Sequence, residues 1–204
     1  MLLVALLSVR TRARNAEYAS PLTLATSTLE RWPTPVAEHM VATELAAVGR
    51  HDEALQRMRH SVEGYPRGLY DLGVELFNHH EYRESLAVLN RFVQRYPVSI
   101  EAPEAEVLQA RALVALGTPD LAVSHYEAGV RMVPGRTEWR GLLADALFQT
   151  GHYEAAAPQY AAYLRAYPAD TAAWTNLGIS RGAGGALNEA IEDRKSTRLN
   201  SSHT

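Results

Sequence analysis

Apolar residues recur along the chain at intervals of three and four, the spacing that lines one face of a helix. In residues 138–150 the stripe is Leu142, Leu143, Ala146 and Leu147. Gly151 breaks it, as a glycine at a helix C-terminus does, and Tyr153 opens a second stripe through Ala156, Tyr160, Tyr163 and Leu164. Pro168 then stops the pattern, because proline cannot continue a helix. The pattern predicts two helices joined by a tight turn.

The same pair recurs. Small residues near the start of each second helix fall at Ala54, Ser85, Ala122, Ala156 and Ala190, with spacings of 31, 37, 34 and 34. Prolines that follow the second helix, Pro66, Pro97, Pro134 and Pro168, keep the same step. Glycines at the turn inside each pair, Gly49, Gly117, Gly151 and Gly185, form a third series, with His80 where a glycine is missing. Three series in one register mark an internal repeat of 34 residues.

The marks have a packing reason. Two helices can approach closely only where their crossing is lined by small side chains. Ala42, Gly73, Ala110, Ala144 and Gly178 on the first helices are expected to meet the small residues of the second. Larger residues then fill the space between pairs: Leu45, Leu76, Leu113 and Leu147 from first helices, Met58, Leu89, Tyr126 and Tyr160 from second. Leucine at Ala156 would overpack the crossing and cost roughly 1–3 kcal/mol.

A 34-residue helix-turn-helix containing Trp174-Thr175-Asn176-Leu177-Gly178, Gly151-His152-Tyr153-Glu154-Ala155-Ala156 and a closing proline resembles the tetratricopeptide repeat (TPR). The resemblance implies an all-α fold, a right-handed α-solenoid of TPR helix-turn-helix hairpins, over about residues 20–192. Departures are Gln109 in place of leucine, Trp139 one position early, a second unit short by three and a third long by three. The expected division is a half repeat at 20–33, hairpins at 34–66, 67–97, 103–134 and 137–168, and a fifth, incomplete one at 171–192. Residues 1–19 form an apolar and basic lead-in.

Composition sharpens this picture. Nearly half the 204 residues are apolar, enough for a continuous core. The formal charge is −3 with no basic stripe, which excludes a nucleic-acid surface. Cysteine is absent, so disulfides and thiolate chemistry are excluded. Lys195 is the single lysine against nineteen arginines, a bias expected of a GC-rich genome. That lysine sits in residues 193–203, which resemble the in-frame translation of a sequencing adapter; the repeat pattern stops there, with Arg194 and Thr197 where an aromatic or leucine and a small residue are due.

At the other end, Met1 to Val9 is almost wholly apolar and is followed by Arg10, Arg12 and Arg14. Nine residues are too few to cross a bilayer core, which takes about 20. The segment is either a lead-in packed on the first hairpin or the last part of a transmembrane helix. Residues 10–24 resemble the joint between the last membrane helix and the TPR units of bacterial O-mannosyltransferase-like multi-pass proteins. That likeness implies attachment to a membrane with the repeats outside the cytoplasm, whereas the arginines favour the cytoplasmic side.

Little in the chain suggests catalysis. His79 and His80 lie near Glu81 and Glu84, but no His-Glu-x-x-His pattern exists and no three ligands converge in the sequence. His51 and His152 read as solvated turn residues. No metal and no cofactor is expected. Gly182, Gly184 and Gly185 lack the lysine and strand of a phosphate loop and are expected to replace the turn of the fifth hairpin. The expected working surface is the concave face built by first helices. Counting positions onto it selects Arg67, Tyr70, Phe77, Asn78, Arg111, Asp145, Phe148 and Gln149, a mixture of rings and hydrogen-bonding groups suited to a protein or peptide partner. Phe77 and Phe148 could instead close the core. TPR modules that clamp a C-terminal carboxylate use lysine and asparagine where this chain has His39, Thr43, Tyr70 and Val74, so that specialisation is not expected.

Overall fold

A computed structural model describes residues 11, 15, 17–62 and 65–185. Among the described residues every regular element is a helix. The elements are α1 (Pro21–Arg31), α2 (Pro35–Ala47), α3 (His51–Ser61), α4 (Pro66–Asn78), α5 (Tyr82–Arg95), α6 (Ala102–Ala115), α7 (Pro119–Met132), α8 (Thr137–Gln149) and α9 (Tyr153–Ala166), followed by α10 over residues 171–185. They fall into two compact units, Met1–Ser99 with α1 to α5 and Ile100–Thr204 with α6 to α10. Within each unit consecutive helices pack on one another, and α2/α3, α4/α5, α6/α7 and α8/α9 form hairpins.

The crossings are made as the sequence pattern requires. Ala42 and Ala54, Ala110 and Ala122, and Ala144 and Ala156 are wholly excluded from solvent. In the α4/α5 hairpin a side chain at Gly73 would lie 2.5 Å from Leu89 Cδ2, so any larger residue there would force the buried Leu89 to move. Ser85 opposite it is buried and donates its hydroxyl to the Gly73 carbonyl at 2.7 Å, which satisfies that buried polar group. Leu45, Leu76, Leu113, Leu147, Met58, Leu89, Tyr126 and Tyr160 are all buried. Gly178 is exposed; the residue that the pattern pairs with it, Ala190, lies outside the described residues.

Each hairpin turn closes the same way. Gly49, Gly117 and Gly151 have φ of 80°, 78° and 77°, and His80 takes the same left-handed conformation at 62°. At all four, the residue itself donates to the carbonyl three back and the next residue donates to the carbonyl five back: Gly49 to Ala46 and Arg50 to Leu45, His80 to Phe77 and Glu81 to Leu76, Gly117 to Val114 and Thr118 to Leu113, Gly151 to Phe148 and His152 to Leu147. These are Schellman closures, which satisfy the last carbonyls of the helix. The turn, not glycine as such, is what repeats.

Two expectations need correction. Pro66 does not end a helix; it is the first residue of α4, where a missing N–H costs nothing and the fixed φ suits the helix. Gly182, Gly184 and Gly185 do not form a turn, since α10 runs through all three. Glycine permits the left-handed turn but does not force it. As its apolar stripe predicts, α9 continues through Pro158, which stands in its interior and is exposed. The apolar stripe of Ala156, Tyr160 and Leu164, all buried, outweighs the local cost of the proline.

The one-residue shift of Trp139 changes its fate. Trp139 is 7% exposed, with the Arg136 guanidinium 5.3 Å from its ring centroid, whereas Trp174 is half exposed and donates its indole N–H to the Pro168 carbonyl at 3.0 Å. At the start of the first unit, Ser20 caps α1 through a reciprocal pair with Thr23. The apolar segment 1–9, most of the arginine joint and the adapter-like segment 193–203 lie outside the described residues. Among the described residues no helix is long and apolar enough to cross a membrane.

Candidate functional site

The eight residues predicted for the working face divide equally between the units. Arg67, Tyr70, Phe77 and Asn78 are on α4, Arg111 on α6, and Asp145, Phe148 and Gln149 on α8. The two phenylalanines do the same job in different hairpins. Phe77 meets Tyr82 edge-on at 5.3 Å, and Phe148 meets Tyr153 edge-on at 5.4 Å, in each case across the turn to the second helix. Both remain half-buried. Tyr70 leans on Phe92 at 5.6 Å. Asn78, Arg111 and Gln149 are exposed.

Of the eight, Asp145 lines the cleft with the most developed chemistry. It lies in the second unit, has a volume of about 340 Å³, and is walled by α8, α9 and the start of α10. Three carboxylates reach it: Glu138 and Asp145 from α8, and Asp170 from the loop before α10. Each accepts a hydrogen bond from a tyrosine of α9 or its C-terminal cap. Tyr160 donates to Asp145 at 2.7 Å, Tyr163 to Asp170 at 3.1 Å and Tyr167 to Glu138 at 2.5 Å. The Tyr163 and Tyr167 rings stack, 4.8 Å apart at 24°. Gly141 makes room for them, because a side chain there would press on the Tyr163 ring at 2.9 Å. Asn176 of α10 donates to the Tyr160 oxygen at 3.1 Å and ties the third helix to the other two.

The electrostatics follow from these bonds. The Tyr167 hydroxyl holds Glu138 below the ordinary carboxylate value. The backbone N–H of Ala173, at 2.9 Å, and then the Tyr163 hydroxyl do the same for Asp170, which is also the N-terminal cap of α10. Asp145 is pushed the other way, because loss of water around its carboxylate outweighs the hydrogen bond from Tyr160. Burial raises Tyr160 and Tyr163, and the neighbouring carboxylates raise them further. Burial likewise pushes Tyr126 on α7 up to about 12. The tyrosines therefore stay neutral donors, and none of the residues lining the cleft is basic.

A second cleft, in the first unit, gathers His39, Thr43, Met58, Tyr65, Arg67, Asp71, Val74 and Glu75 in about 420 Å³. Three of the four positions that correspond to a carboxylate clamp, His39, Thr43 and Val74, do meet here; Tyr70 does not line it. The cleft is paired internally. His39 Nε2 lies 2.8 Å from Asp71 Oδ2, and Arg67 lies 3.6 Å from the same oxygen. His39 Nδ1 is buried without a hydrogen-bond partner among the described groups. At its edge Glu75 accepts a bond from His51 at 2.7 Å.

Sequence reasoning missed Glu138, Tyr163, Tyr167, Asp170 and Asn176 as site residues, and it missed the approach of His51 to Glu75 and His79. The helical period puts Tyr163 on the inner face of its helix but says nothing of the carboxylate it meets.

The tetratricopeptide repeat family matches the chain three times, over residues 70–137, 107–171 and 142–193, which together cover more than half of it. No curated protein sequence matches. Among solved structures, the chain is similar to YrrB, described as a TPR protein with an unusual peptide-binding site: 20% identity, TM-score 0.70, covering 82% of this chain and 87% of that one. It is also similar to residues 41 to the end of MamA from Desulfovibrio magneticus RS-1, at 16% identity and TM-score 0.65, covering 82% and 97%. A similarity to the Cut9 and Hcn1 hetero-tetramer of the APC/C, at 16% identity and TM-score 0.61, covers 81% of this chain and 34% of that one. With the repeat, its Schellman turns and its small-residue seams in place, this chain belongs to the tetratricopeptide repeat family.

Proposed function

We propose that this chain is a peptide-binding TPR module, and that the cleft of its second unit receives an arginine or lysine side chain of the partner. The observation that carries the reading is the trio Glu138, Asp145 and Asp170, facing one space whose lining holds tyrosine hydroxyls and no basic residue. Tyrosine hydroxyls orient the carboxylates without bringing a positive charge, and Arg136, which acts on Glu138, lies outside the lining. A cation supplied by the partner meets carboxylates on one side and the stacked Tyr163 and Tyr167 rings on the other, a combination of charge-assisted hydrogen bonds and cation–π contact. The similarity in fold to a peptide-binding TPR protein supports the class of partner. The reading asks for binding, with no turnover.

The test is fluorescence anisotropy with matched peptides carrying arginine, lysine, glutamine or glutamate. Basic peptides are expected to bind, and Asp145→Asn with Glu138→Gln is expected to weaken them by about tenfold or more, equivalent to about 1.4 kcal/mol. Raised salt should weaken binding further, because the cleft is open to solvent. Equal binding of the glutamate peptide, or unchanged affinity in the double variant, overturns the assignment. Arg67, Tyr70, Phe77, Asn78, Arg111, Phe148 and Gln149 are proposed to contact the rest of a bound chain within their own units.

The likeness of residues 10–24 to a membrane joint favours a second setting, in which this module is the soluble tail of a membrane-embedded glycosyltransferase-like protein. Genomic sequence upstream of Met1 that encodes many apolar helices supports it, and a stop codon with a ribosome-binding site there rejects it. Resequencing beyond Glu192 tests the adapter likeness, with a continuing repeat pattern as the expected result.

A further inference from the structure

We propose that His51, Glu75 and His79 form a zinc-binding site in the first unit, separate from the peptide cleft of the second. His51 is the first residue of α3, Glu75 lies in the last turn of α4, and His79 caps the C-terminus of α4. One ring nitrogen of each histidine and one oxygen of Glu75 lie within 4.8 Å of one another. His51 Nδ1 is 2.7 Å from Glu75 Oε1, His79 Nε2 is 3.9 Å from the same oxygen, and the two rings meet edge-on at 4.8 Å.

Tetrahedral zinc, with bonds of about 2.0–2.2 Å to imidazole and carboxylate, sets its ligand atoms about 3.4 Å apart. The observed separations fall on both sides of that value, so small side-chain rotations reach it without moving a helix. Glu75 and His79 stand four residues apart, on one side of the end of α4, as neighbours on a helix surface do. His51 arrives from the adjoining hairpin, so the metal would pin α3 to α4.

Two further features fit a divalent ion. Glu75 is 8% exposed, and a carboxylate that far from water needs strong compensation. Among the described residues only His51 meets it within hydrogen-bond distance, and a bound cation would bring the opposite charge directly. Both histidines retain solvent contact, His51 at 45% and His79 at 25% of its side chain, so the ion has an entry path. Two imidazoles and one carboxylate suit zinc rather than magnesium or calcium, which prefer all-oxygen sites. Three protein ligands leave the fourth position open to water or to a group of the partner.

Isothermal titration of the tag-free, EDTA-stripped full chain with zinc chloride tests the site, with magnesium chloride as the control and thermal melting in parallel. A single saturable zinc per chain is expected, with a rise in melting temperature that EDTA reverses and that magnesium does not produce. His51→Asn, Glu75→Gln and His79→Asn should each weaken zinc by at least the roughly 10–100-fold that loss of an outer-shell partner costs. His152→Asn should leave it unchanged. Should Glu75→Gln fail to fold, His51→Asn, at an exposed position, carries the comparison. Absence of saturable binding, or equal binding in the His51 and His79 variants, overturns the proposal.

Discussion

The two units carry the same hairpin and fill its clefts with opposite chemistry. In the first unit, acids face bases: His39 and Arg67 meet Asp71, and His51 meets Glu75. In the second, acids face tyrosines, with Glu138, Asp145 and Asp170 each held by a phenol. The Arg67 guanidinium brings a charge to its partner, whereas a tyrosine whose pKa is raised can only donate a hydrogen bond. The first cleft is thus paired internally through Asp71, and the second is preorganised by phenols with no basic residue in its lining. The repeat sets where clefts fall, and a few side chains at each decide what it can hold.

The contrast is sharpest at the buried position shared by Leu89 and Tyr160. Tyr160→Ala should cost about 3–5 kcal/mol and Leu89→Ala about 2–5 kcal/mol in urea unfolding, since both are core positions. Only Tyr160 also carries the polar link from Asp145 to Asn176. Tyr160→Phe should therefore cost about 1 kcal/mol by losing hydrogen bonds at constant shape. A Tyr160→Phe variant as stable as wild type breaks the claim that the phenol organises the second cleft.

The turns give a smaller, opposite pair of effects. His80→Gly in the first unit should stabilise by less than about 1 kcal/mol, because relief of the left-handed strain is partly offset by loss of the 2.7 Å His80–Tyr82 hydrogen bond. Gly117→His in the second should destabilise by about 1 kcal/mol by introducing that strain. Pro158→Ala should add stability by restoring a helical N–H, read as a higher urea midpoint.

The pH dependence is expected to be the weakest effect. Glu138 and Asp170 have folded values below the unfolded ones, so the stability they supply is complete above the unfolded value and is lost as pH falls through the folded one. Asp145 is raised, so it acts with the reverse sign and favours the fold as it protonates. At neutral pH Asp170→Asn should then lower the urea midpoint, while Asp145→Asn should hold or raise it. Asp145→Asn combining full stability with lost peptide binding would mark a residue kept for function.

Most of the scaffold could be read from the chain. Ala42, Ala54, Ala110, Ala122, Ala144 and Ala156 follow from close packing at a fixed period, and each is fully buried. His80 was placed at a glycine turn because the register demanded one there, and its positive φ agrees. Pro66 misled because a proline between two helices reads the same whether it ends one or starts the next. The cleft was harder to see. Of its carboxylates only Asp145 lies on the predicted face; Asp170 sits in a loop, and Tyr163 and Tyr167 come from the second helix and its end. Their meeting depends on how α8, α9 and α10 tilt, which a linear period does not encode. His51, 24 residues from Glu75, is hidden for the same reason.

Hydrogen–deuterium exchange of the full chain, with and without a saturating arginine-containing peptide, tests the central claim most directly. Protection concentrated in α8, α9 and α10, and lost in the Glu138→Gln, Asp145→Asn double variant, is the predicted result. Protection confined to the α2 to α5 helices, with α8 to α10 unchanged on binding, would contradict it.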